Sequence, residues 1–136
     1  MTTTQAIGEA VLDDIAQVDK PWGRELIFAA QEGLYVGKFI TVRAGHALSC
    51  QYHHDKTETQ HWLSGRALVE YGPDLERLTS VEMGPGQTIH LPAGVVHAIT
   101  ALTDTVFAEV STAHPGWQTD VVRLRDAYGR EGTSAQ

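Results

Sequence analysis

Residues 45–65 read GHALSCQYHHDKTETQHWLSG, and the fold turns on them. LSCQYH has the texture of a strand, in which residues two apart share a face, so Gln51 and His53 aim at one point. HDKT is polar enough for a hairpin connection, and the strand that follows brings Glu58 back beside them. A second fragment, residues 86–97 (GQTIHLPAGVVH), supplies another turn framework and His97. Two imidazoles, one carboxylate and an amide oxygen suit a divalent transition metal held by Gln51, His53, Glu58 and His97.

The spacing resembles a known family. Gly45, Gln51-x-His53, Glu58 and Gly65 resemble the first cupin motif, with Gln51 where a histidine is usual. Gly86, Pro92-x-Gly94 and His97 resemble the second, with Ala101 where Asn is common. Lys20-Pro21-Trp22-Gly23 is similar to the opening of the cupin domain of type II mannose-6-phosphate isomerases. Asp120-Val121-Val122-Arg123-Leu124 with Asp126, Tyr128, Gly129 and Arg130 is similar to that domain's closing stretch. The resemblance covers roughly residues 19–131. It implies a jelly-roll barrel and aldose–ketose isomerisation of a sugar or sugar phosphate through a cis-enediol. Where that family has HHHRAEHW, this chain has HHDKTETQ, so two positions near a substrate differ.

The rest of the chain agrees with an all-β reading. ELIFAA, LYVGKFITV, LSCQYH, HWLSGRALVEYG, RLTSVEM, QTIHL, VVHAIT and TVFAEVST are short, rich in β-branched or aromatic residues and divided by Gly, Pro or Asp. Such a series predicts a single sandwich or barrel, a cupin unit over 19–131. Residues 1–18 read as an N-terminal arm in which Val11, Leu12, Ile15 and Val18 allow a short amphipathic helix. A second short helix is expected around Asp120–Asp126, and 132–136 as a frayed tail. The 136 residues suffice for one core.

The formal charge of −7 argues against a phosphate-tracking basic face, so no nucleic-acid partner is expected, although a small basic pocket could still hold a sugar phosphate. The lone Cys50 forms no internal disulfide and should fill the core on the face opposite Gln51. No segment nears the ~20 apolar residues of a membrane span, and residues 1–19 lack the basic start of a signal peptide. A cytoplasmic protein with no membrane partner is expected. Open sheet edges and the apolar arm predict a homodimer.

Further site residues follow from position. Glu109, on the last strong strand, is the best carboxylate for a base, with His90 and Lys56 as further catalytic candidates. Lys56 in the turn and Arg66 past Gly65 are the cations placed to hold a phosphate. Gln60 and Trp62 share the face of Glu58 and should line a sugar site, whereas His61 faces away. Arg123 and Arg130 read as surface ion pairs, and Trp22 and Gly23 as seating the first strands. Zn is the leading metal, with Fe, Mn, Ni and Co also suited. An Fe(II) dioxygenase, a metal-free sugar epimerase and a non-catalytic sugar-binding module stay open as alternatives.

Overall fold

The structure, a computed structural model, describes residues 12–133 together with Gly8 and Ala10. Among the described residues, eleven strands form two antiparallel sheets. One contains β1 (Ala16–Lys20), β2 (Gly23–Gln31), β3 (Tyr35–Val42), β5 (Glu58–Ser64), β8 (Thr88–Leu91) and β10 (Thr105–Thr112), in the order β1-β2-β3-β10-β5-β8. The other contains β4 (Cys50–Tyr52), β6 (Ala67–Gly72), β7 (Thr79–Met83), β9 (Val96–Ala101) and β11 (Val122–Arg125), in the order β11-β4-β9-β6-β7. The predicted all-β class and cupin-like sandwich are what the chain adopts.

Strand alternation divides the interior. On β5 the inward residues are Glu58, Gln60 and Trp62, and on β10 Thr105, Phe107, Glu109 and Ser111. β3 turns Lys38, Ile40 and Val42 inward. Apolar residues from both sheets gather at one end, where Trp62 stacks on Phe107 at 4.4 Å beside Ile40, Val69 and Ile99. The charged residues Glu25, Lys38, Lys56, Glu58 and Glu109 gather at the other, all buried. The barrel thus has a packed floor and a polar cavity above it.

HWLSGRALVEYG reads as one strand but is two, β5 and β6, in different sheets. The break is Gly65, whose φ of 75° and 2.0 Å gap between an ideal Cβ and the Asp104 carbonyl oxygen leave room only for glycine.

Two expectations need correction. The stretch expected as a C-terminal helix is β11, paired antiparallel with β4 through Val122–Tyr52 and Arg123–Gln51. The edge of β4 offers its backbone partners, and Val121 and Val122 suit a strand. The helical structure among the described residues is one 3-10 turn, Trp117–Thr119. The expected amphipathic helix does not form over the described part of the arm. Leu12 and Ile15 are exposed, and Val18 lies in β1, paired across a tight turn with Glu25 of β2. Pro21 in that turn fixes φ for the reversal. The expected boundary at residue 18 therefore falls inside a strand, and Val11 lies outside the described residues. No described helix is long and apolar enough to cross a membrane.

Candidate metal centre

Gln51 on β4 pairs directly with His97 on β9 and with Arg123 on β11. Directly opposed residues project to the same face, so all three side chains point into the barrel. Cys50, one residue earlier, is buried on the other face beside Val96 and Ala98. His53 follows β4, and its carbonyl is held by the Gly94 N–H at 2.8 Å, which ties the two motif turns together. Glu58 opens β5 opposite Leu91 and Ser111.

His53, Glu58 and His97 bring their ligand atoms within 4.8 Å of one another, all buried. His97 Nε2 lies 3.0 Å and His53 Nε2 3.6 Å from Glu58 Oε1. Yet His53 Nε2 and Glu58 Oε1 have no aligned hydrogen-bond partner. We read the short His97–Glu58 approach as two atoms aimed at a common point, not as one N–H directed at one oxygen. The other ring nitrogens are committed: His53 Nδ1 lies 2.5 Å from the Asp120 carbonyl and His97 Nδ1 3.0 Å from that of Val95. A carbonyl only accepts, so each ring donates from Nδ1 and leaves Nε2 facing Glu58, where the nitrogen, once deprotonated, is free to bind a metal. Orphaned buried atoms are costly, and a shared divalent cation would satisfy them. The residues fit a metal.

Around the triad, charges are tightly matched. Lys56 Nζ is 3.7 Å from both Glu58 Oε2 and Glu109 Oε2. Gln60 Nε2 donates to Glu109 Oε1 at 3.2 Å. Burial alone would raise the pKa of Glu58, but its contacts with His53 and His97 and the charge of Lys56 hold it well below the carboxylate range. Burial and the charge of Glu58 raise that of Glu109 despite Lys56 and Lys38. Burial would lower that of Lys56, but Glu109 and Glu58 outweigh it. Burial likewise opposes the charged form of His97, and Glu58 raises its pKa nonetheless.

The structure brings Gln51, His53, Lys56, Glu58 and Glu109 to one cavity, with His97 in contact with Glu58 and Gln60 with Glu109. It does not bring His90 or Arg66 there. On β8, Ile89 and Leu91 are the more buried residues, so His90 faces out and bonds Thr59 Oγ1 at 2.7 Å. Arg66 lies past the far end of β5 from Glu58, half exposed and paired with Glu82 at 2.8 Å. Trp62 sits in the packed floor, fully buried, away from the cavity lining. Lys56, expected in the polar turn, is 3% exposed.

Asp120 was not singled out as a site residue, yet its carboxylate accepts the backbone N–H groups of His54, Asp55 and Lys56 at 2.7–3.0 Å. That clamp turns Lys56 inward. Lys20 and Arg123 also reach the cavity. Reading 121–125 as a strand would have revealed the inward face of Arg123 by its alternation with Leu124.

A two-sheet antiparallel sandwich holding a buried histidine–carboxylate cluster between its sheets is a cupin. This chain belongs to the family Mannose-6-phosphate isomerase C-terminal, which it matches over residues 8–126. It is 33% identical over 118 residues to mannose-1-phosphate guanylyltransferase of Escherichia coli K12, covering 84% of this chain and 23% of that protein. It is 30% identical over 134 residues to the alginate biosynthesis protein AlgA of Pseudomonas aeruginosa, covering 96% and 26%. The chain spans about a quarter of the length of these relatives. Among solved structures, oxalate decarboxylase from Bacillus subtilis superposes with a TM-score of 0.71 at 17% identity, over 82% of this chain and 30% of that one. CapF from Staphylococcus aureus does so with 0.70 at 16%, over 82% and 34%. At these identities the likeness is one of fold.

Proposed function

We propose that this domain is a metal-dependent aldose–ketose isomerase acting on a sugar phosphate, with mannose 6-phosphate the first substrate to test. The observation that carries the reading is the convergence of two carbonyl-tethered histidines and Glu58 beside a carboxyl whose pKa is raised, Glu109. The family description and the sugar phosphate in a relative's name support the substrate class.

His53, Glu58 and His97 would hold the metal, with Gln51 as fourth ligand through Oε1, which the Ser49 hydroxyl contacts at 2.7 Å. A divalent metal bound there polarises a substrate carbonyl as a Lewis acid and acidifies the neighbouring C–H. Glu109 takes that proton and returns it to the adjacent carbon of the cis-enediol, since a raised pKa suits a group that must both accept and donate near neutrality. Gln60 fixes one Glu109 oxygen, and the Lys56 ammonium on the other keeps the carboxylate charged and oriented. Apolar Ile40, Leu48 and Val121 in the lining exclude water from the enediol. A homodimer belongs to the same reading, supported by the Phe28–Phe39 stack on an exposed sheet face.

The test is an aldose–ketose assay on protein reloaded with Zn, Fe, Mn, Ni or Co in turn. Conversion of mannose 6-phosphate to its ketose without oxygen uptake is the expected result. Metal-loaded protein that isomerises no sugar, or that consumes oxygen, contradicts the reading.

A further inference from the structure

In a chain with a net charge of −7, five of the ten Lys and Arg residues line this one cavity: Lys20, Lys38, Lys56, Arg123 and Arg130. Three carboxylates, Glu25, Glu58 and Glu109, share the lining, and Asp126 on Arg130 makes a fourth, so five against four leaves one positive charge in excess. The pairing shows where the excess lies. Lys38 binds Glu25 at 3.0 Å, and Lys56 lies between Glu58 and Glu109. Arg130 is held by Asp126 at 2.8 Å. Among the described residues, Lys20 and Arg123 have no ion pair.

Arg123 is the sharper case. It is 6% exposed, its Nη1 donates to Thr133 Oγ1 at 2.9 Å, and its Nε has no partner at all. A buried guanidinium with no carboxylate in contact is unfavourable. Burial and then Arg130 lower its pKa against the opposing charges of Asp126 and Glu25, and burial lowers that of Lys20 against Glu25, with Lys38, Arg123 and Arg130 adding to the effect. Lys20, Arg123 and Arg130 lie close enough to act on one another's charge.

We propose that Lys20, Arg123 and Arg130 form the phosphate-binding end of the cavity and take the dianionic group of the substrate, while the His53–Glu58–His97 end takes its carbonyl. The fork of Arg123 and the point charge of Lys20 match phosphate chemistry. Arg123 lies two strands from His97 through Gln51, about 10 Å at the usual strand spacing, a span of hexose-phosphate size. Lys20, partly exposed at the end of β1, lines the same cavity. The anion site stands on these contacts alone. Only the placing of the carbonyl rests on the isomerase reading.

The test titrates inorganic phosphate into the metal-loaded protein at low salt, followed by calorimetry or phosphorus NMR. Lys20→Gln and Arg123→Gln should each weaken binding by at least about tenfold, the scale of one charged contact, with metal content unchanged. Lys20→Gln is decisive should Arg123→Gln fail to fold. Mannose 6-phosphate should displace the phosphate and mannose should not, identifying the group as the substrate's own. Phosphate affinity that is the same in wild type and Lys20→Gln overturns the site, as does equal turnover of mannose and mannose 6-phosphate. Lys20-dependent phosphate binding without turnover of any sugar overturns the isomerase reading and leaves the anion site standing.

Discussion

The main-chain carbonyl of Asp120 accepts the Nδ1 hydrogen of His53 at 2.5 Å, while the carboxylate of the same residue holds the three backbone N–H groups that follow His53. One residue of the C-terminal segment therefore orients the ring of His53, a proposed metal ligand, and folds the loop that carries Lys56 inward. Such outer partners of a ligating histidine set its tautomer and its ring orientation.

Asp120→Ala should cost on the order of 2–3 kcal/mol, the scale for hydrogen bonds to a charged acceptor, read from urea unfolding. It should also weaken metal binding, because the loop next to His53 loosens. Burial opposes ionisation of Asp120, but the N–H groups of Asp55, His54 and Lys56 hold its pKa below the usual value. A depressed carboxyl stabilises the fold above its unfolded value near 3.9 and loses that contribution as pH falls through the folded value. The stability gap between wild type and Asp120→Asn should therefore shrink below about pH 4. A gap that stays constant contradicts the clamp.

Chelated and metal-loaded protein should respond oppositely to pH. Without metal, His97 has a raised pKa against an unfolded value near 6.5, so the stability it contributes is present below that value and lost as pH rises through the folded one. With metal, the histidines must be deprotonated, so stability rises with pH over the same window. Melting temperatures measured between about pH 6 and 8 on both forms check this, and parallel curves would argue against His97 as a ligand.

Glu109→Gln should lower kcat by about 100-fold or more, the lower range for a lost general base, while metal content stays unchanged. The amide still fills the place beside Gln60. An active variant moves the base elsewhere.

Much of the site was legible because its logic is local. Gln51 and His53 are two residues apart on one strand, Glu58 lies a short turn away, and Gly86, Pro92 and Gly94 frame His97. His90, offered as a catalytic candidate, faces out because Ile89 and Leu91 claim the inner face. What escaped depends on partners distant in sequence. Whether DVVRLRD becomes helix or strand is decided by β4, about 70 residues earlier. Lys56 looks solvated until Asp120, 64 residues on, pulls its loop inward. Arg66 follows Gly65 closely, but seven residues of β5, about 23 Å at strand rise, carry it to the opposite end of the barrel.

Trp62 tests the boundary between floor and cavity. It is fully buried against Phe107, so Trp62→Ala should cost about 3–5 kcal/mol of stability. Trp62→Phe should fold, with KM for the sugar phosphate within about twofold of wild type, a change worth only ~0.4 kcal/mol. A large KM change in that variant would place Trp62 at the substrate.

Elemental analysis tests most directly the metal proposed at His53, Glu58 and His97. Protein reloaded with each candidate metal and freed of excess should retain one divalent ion per chain, and His97→Ala should lose most of it while remaining folded. Equal stoichiometry in wild type and His97→Ala, or no retained metal in either, contradicts the assignment.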